Sequence, residues 1–155
     1  MIYGKLKFDL KLFFIFNMEI QGLPFNININ KNIVNLFDKK TCKVAVNYCI
    51  FNSKVVKIGS SRPCGCNHSK TSIHAEEIAL KYCLKYPHKK YKIIIWRWDK
   101  HGKINKKFCC LSCTKLLKKF NYEKNIFTIS NNKLIPAIQN NPKYSLSYLM
   151  KNNLL

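Results

Sequence analysis

The sequence predicts an α/β sandwich with a mixed sheet, and three observations lead there. Helix-like and strand-like segments alternate along the chain; residues 91–98 (YKIIIWRW) are almost all β-branched or aromatic; and two strand-like segments, 43–51 and 54–58, are separated by little more than Asn52-Ser53. A nearly continuous apolar strand belongs in a sheet covered on both faces. A short turn pairs its neighbours antiparallel, whereas strands joined through a helix run parallel, so both pairings are expected in one sheet.

Taken in order, residues 1–25 read as an N-terminal extension, its apolar stretch lacking a clean period and ending at Gly22 and Pro24. Residues 26–155 read as one domain, the size at which a single core is usual. Ile33, Val34, Leu36 and Phe37 fit an amphipathic helix over 31–39, and the hairpin 43–51/54–58 follows. Residues 59–70, with Pro63 and Gly65, read as a loop ending at Thr71-Ser72, either of which can cap a helix that begins near His74 and stops before Pro87. Glu76 and Glu77 fall in its first turn, where the helix dipole favours carboxylates. After the strand 91–98 come a loop at Gly102, a helix over 110–120 patterned by Leu111, Leu116, Leu117 and Phe120, a strand over 125–129, and a last short helix at 145–150.

Composition narrows the classes of function. Of 155 residues, 47% are hydrophobic, enough for a core and too many for a disordered chain. The longest candidate apolar run, residues 12–16, is far short of the ~20 residues of a spanning helix, so no membrane role is expected. The 28 basic residues against 7 acidic give a net charge of +21, which attracts phosphates and nucleic acid. Because 26 of the 28 are Lys, with only Arg62 and Arg97 able to make bidentate contacts, compositional drift accounts for the surplus better than a polyanionic partner does. Eight irregularly spaced Cys and no convincing signal peptide point to an intracellular, reducing compartment, where clustered Cys and His serve more often as metal ligands than as disulfides.

Two segments carry chemistry: SIHAEE, with His74 and Glu76, and CCLSC, with Cys110 and Cys113. Cys110 and Cys113, at i and i+3, share a helix face and can take adjacent corners of a zinc tetrahedron. A helix N-terminus favours the thiolate that binds metal. His74 can supply a third ligand, leaving one corner open as catalytic zinc requires, with Glu76 placed to carry protons beside it. Cys109 and Cys113, at i and i+4, can also chelate, so the register is open on spacing alone. Cys64, Cys66 and His68 are either donors toward a second metal or incidental thiols in a Gly-containing loop; Cys42, Cys49 and Cys83 read as core.

The pair His74-Ala75-Glu76 and Cys110-Leu111-Ser112-Cys113 resembles the H-x-E and P-C-x-x-C signature of the zinc-dependent cytidine/deoxycytidylate deaminase superfamily, over residues 40–130. The departure is Cys109, which stands where that family usually has Pro. The resemblance implies a three-layer α/β/α sandwich with a mixed central sheet, zinc on His74, Cys110 and Cys113, and Glu76 as proton shuttle. It implies hydrolytic deamination by zinc-hydroxide attack on an amino-substituted nucleobase, with a cytosine nucleoside or nucleotide as the expected substrate. Two alternatives stand beside it: a deaminase acting on bases in RNA or single-stranded DNA, and a non-catalytic, zinc-stabilised nucleic-acid-binding module. Relatives commonly form homo-oligomers, and nothing in this chain chooses an oligomeric state. Trp96 and Trp98 should share a strand face as core or pocket wall; Arg97 is placed for a phosphate at the pocket rim or for an ion pair with Asp99 or Glu77. Lys106, Lys107, Lys115, Lys118 and Lys119 read as a solvated face around the third helix.

Overall fold

In the computed structural model, which describes residues 31–63 and 72–154, the chain runs α1 (Lys31–Lys40), β1 (Val46–Phe51), β2 (Val55–Ser60), β3 (Arg62–Pro63), β4 (Ser72–Ile73), α2 (Ala75–Leu84), β5 (Lys92–Trp98), β6 (Ile104–Lys106), α3 (Leu111–Lys119), β7 (Ile126–Ser130), β8 (Lys133–Pro136) and α4 (Leu146–Lys151). Six strands form one mixed sheet in the order β2-β1-β5-β7-β8, with β6 also on β5; β3 and β4 make a separate antiparallel pair. The expected mixture of pairings is present: β1 lies antiparallel to β2 and β5, and β7 parallel to β5. One edge of β5 is shared, β7 taking residues 93–95 and β6 taking 96–98.

Alternation along β5 divides the core. Ile94, Trp96 and Trp98 pack with Phe37 of α1, Cys49, Phe51, Phe127, Ile129 and Leu134. Ile93 and Ile95 pack with Ala75, Ala79, Leu80 and Cys83 of α2 and with Cys113 and Leu117 of α3. Phe37 stacks on Trp96 at 4.2 Å between centroids, and the Trp98 indole donates to Thr41 Oγ1 at 2.9 Å, so the end of α1 is pinned to the end of β5. Each fully buried side chain of this size contributes roughly 1.5–3 kcal/mol, which is why this apolar run, with only Arg97 pointing to water, sets the centre of the fold.

Several local expectations need correction. The helix that begins near His74 is not capped by a hydroxyl: Ser72 lies in β4, and the N-cap is His74 itself. Thr71, with Cys64, Cys66, His68 and the extension 1–25, lies outside the described residues. Cys42 is exposed, since the chain turns there between α1 and β1; Cys49 and Cys83 are buried as expected. Strands β3, β4, β6 and β8 were not anticipated; they are two to four residues long. The last helix starts one residue later than expected, with Ser145 as its cap accepting from the Tyr148 N–H at 3.1 Å. No helix among the described residues is long and apolar enough to cross a membrane.

Gly59 is opposite Tyr48 in the β1/β2 ladder, and that ring lies across it: a Cβ there would stand 2.6 Å from Tyr48 Oη and 2.7 Å from Cζ. Tyr48 is itself buried, so it cannot simply swing aside. Gly59→Ala should therefore destabilise the domain by about 1–3 kcal/mol, read as a fall of several degrees in Tm; an unchanged Tm would mean that the Tyr48 ring does not occupy this position.

Candidate metal centre

Helix α2 ends just before β5 begins, and α3 leaves the far end of β5 to return to the parallel β7. Both helices consequently start at the C-terminal end of β5, on the same face of the sheet. Their first turns carry the two motifs. His74 is the N-cap of α2 (φ −69°, ψ 147°) and Cys110 the N-cap of α3 (φ −70°, ψ 171°), and neither side chain turns back to cap its helix. They face each other instead.

His74 Nδ1 lies 3.2 Å from Cys113 Sγ and 3.5 Å from Cys110 Sγ, and the three ligand atoms all lie within 4.8 Å of one another. Tetrahedral zinc with Zn–N near 2.0 Å and Zn–S near 2.3 Å sets N to S edges of about 3.5 Å, so the donor set and its spacing fit a zinc ion held by three protein ligands. The hydrogen bond from Cys113, followed by those from His74 and Ser112, holds Cys110 below the usual thiol range against the opposing effect of burial, and the same bond with Cys110 pushes Cys113 up. His74 is raised chiefly by its hydrogen bond to Cys110. Cys110 Sγ also lies 3.3 Å from Ser112 Oγ, and the Thr114 hydroxyl donates to the Cys110 carbonyl at 2.8 Å, fixing the first turn of α3.

Cys109 is not part of this group. Its thiol is buried and pushed up by desolvation, and its N–H donates to the Ala137 carbonyl at 2.9 Å. The structure thus brings together His74, Cys110 and Cys113, the register of the C-x-x-C spacing, and leaves the Cys109–Cys113 alternative unassembled.

Glu76 is 2% exposed on the inward face of α2, and burial raises its carboxyl above the usual range. The opposing influence is the Lys107 charge, which lowers it. Lys107 was read from sequence as one of a solvated set around the third helix; it is instead half-buried ahead of that helix, its N–H donating to Thr128 Oγ1 and its Nζ to the Phe108 carbonyl, both at 2.8 Å. Nothing in the local pattern distinguishes it from its neighbour Lys106. Its position comes from β6 and the buried Thr128 of β7, elements that bring distant residues together.

Trp96 and Trp98 share a buried face, as expected, and it is the α1 side, away from the metal ligands. Arg97 is exposed on the other side, opposite Asn105 in β6. It has no ion pair with the acids considered for it: Glu77 pairs with Lys81 at 3.6 Å, and the Asp99 carboxylate accepts the N–H groups of His101 and Lys103. No protein-family model, curated protein or solved structure matches the chain.

Purified under reducing conditions, the protein should carry about one zinc per chain. His74→Ala or Cys110→Ser should lower zinc affinity at least tenfold in a chelator competition, whereas Cys109→Ser should leave it within twofold. Loss of zinc in Cys109→Ser alone would move the site to the other register.

Proposed function

We propose that the chain is a zinc-dependent hydrolytic deaminase acting on an amino-substituted nucleobase. The observation that carries this reading is Glu76, a carboxyl group buried two residues from His74 and electrostatically coupled to His74, Cys110 and Lys107. Burying a carboxyl group is unfavourable and a purely structural zinc has no use for one, so its presence beside a three-ligand set favours a proton-transfer role. Helices packed against the two faces of a mixed sheet agree with the three-layer arrangement of the cytidine/deoxycytidylate deaminases, and the H-A-E and C-L-S-C segments agree with their signature.

His74, Cys110 and Cys113 would hold the zinc, and the chemistry it would supply is a lowered water pKa, giving a nucleophile near neutral pH. Glu76 takes the first proton from the attacking water and delivers it to the ring nitrogen beside the amine-bearing carbon as the new C–O bond forms. It then carries the second proton to the exocyclic amine, the C–N bond breaks, and ammonia leaves with a carbonyl in its place. Burial suits Glu76 to the first task, because a carboxylate whose pKa is raised accepts the water's proton more readily than an exposed one. Lys107 moderates this rise.

Ammonia release is to be measured on cytidine, deoxycytidine, their monophosphates, adenosine, guanine and short single-stranded RNA and DNA. Glu76→Gln should reduce kcat on the active substrate by about 10²–10⁴-fold, with zinc content unchanged. A zinc-loaded protein in which Glu76→Gln alters no measurable turnover or binding would instead support a zinc-stabilised binding module.

A further inference from the structure

The C-terminal segment has no part in the metal ligand set, yet it is fastened to it. The Cys109 N–H bonds the Ala137 carbonyl, and the N–H of Leu111, the residue after Cys110, donates to the Lys143 carbonyl at 2.8 Å. Immediately beyond that bond lie Tyr144 and Tyr148, one helical turn apart, with ring centroids 4.4 Å apart and planes only 11° from parallel. The pair is 49% and 43% exposed and is held in place by the Ser145 cap on the Tyr148 N–H.

The charge around these rings selects an occupant. Lys143 and Lys151 are both exposed and flank them, and residues 124–155 contain no Asp or Glu. A second copy of a chain carrying +21 would be repelled from this face, and an apolar partner would leave both ammonium groups unused. Flat aromatic faces interleaved with cations suit single-stranded nucleic acid, whose bases stack on the rings while its phosphates take the lysines.

We propose that the base reacting at the His74–Cys110–Cys113 site is presented within single-stranded nucleic acid, a flanking base stacking on Tyr144–Tyr148 and adjacent phosphates lying on Lys143 and Lys151. The proposal rests on the deaminase reading for what happens to the base, but the platform itself is defined by binding. Polynucleotide binding at this face places the stacked base near the first turn of α3, because the Leu111–Lys143 bond joins the two.

The test is fluorescence anisotropy of the full-length, zinc-loaded protein with labelled single-stranded RNA and DNA heptamers at several salt concentrations. Binding should fall about tenfold or more in Tyr144→Ala/Tyr148→Ala and stay within about twofold in Tyr144→Phe/Tyr148→Phe, which keeps the rings. Lys143→Gln/Lys151→Gln should reduce the slope of log affinity against log salt by about 1. A preference for the RNA or the DNA heptamer identifies the polymer, and cytidine monophosphate should not displace either. Heptamer binding by the zinc-loaded wild-type protein that depends on both rings, with no ammonia released from any substrate, would overturn the deaminase reading and leave the binding platform standing. Deamination of free nucleotides by a protein that binds neither heptamer, or binding indifferent to loss of both rings, would overturn this proposal alone.

Discussion

The structure depends on one strand being buried on both sides. β5 is the only strand in the described sheet with three hydrogen-bonded neighbours, and its side chains alternate between Ile93 and Ile95 toward α2 and α3 and Ile94, Trp96 and Trp98 toward α1. A one-residue slip of its register would exchange the two sets, driving both indoles against α2 and α3 and Arg97 into the α1 core. Pairing of β5 with β1 over six positions therefore fixes more than the sheet. It fixes which face receives the helices that bear the motifs.

The metal ligands follow from that placement. Two helices on one face, both starting where β5 ends, bring their N-termini to the same side, and the summed dipoles make the spot favourable for negative charge. At both starts the N-cap is a potential ligand rather than a Ser, Thr, Asp or Asn. Each helix forgoes a side-chain cap, a loss of about 0.5–2 kcal/mol, and the imidazole and thiol are left free to meet at 3.5 Å. A site that forgoes local stability at two helix ends in this way is organised around what binds between them.

Much of this was legible in the sequence, and the parts that were not share a physical cause. The long elements announce themselves through periodicity: α2, α3, β5 and the β1/β2 hairpin each bury a face whose pattern exceeds local noise. The His74, Glu76, Cys110 and Cys113 grouping was visible because chemistry of that kind uses few residue types at few spacings. β6 and β8 were hidden because INK and KLIP are short and half-polar, and they become strands only because β5 and β7 offer them an edge. Ser72 looked like a cap but was taken by β4, a tertiary pairing with β3 that no local preference encodes. Lys107 was hidden for the same reason, its neighbourhood being made by Thr128 and Glu76, which are 21 and 31 residues away in sequence. Cys42 was misjudged by residue type alone: thiols are usually buried, but this one falls at the turn after α1.

The distribution of acidic groups says the most about selection. Among the described residues, Asp38 and Glu77 pair with lysines, Asp99 closes a turn on its neighbours' N–H groups, Glu123 is half-buried with one carboxylate oxygen out of water, and Glu76 alone is fully buried. In a chain with a fourfold excess of cations, every exposed carboxylate is readily stabilised at the surface, and drift toward Lys has no reason to send one inside. Moving a carboxyl from such a surface to the sheet-facing side of α2 is disfavoured by desolvation, and the Lys107 charge opposes only part of that effect. The compositional pressure that explains the lysines therefore cannot explain Glu76. Its position beside His74 is the one the proposed proton-carrying role requires.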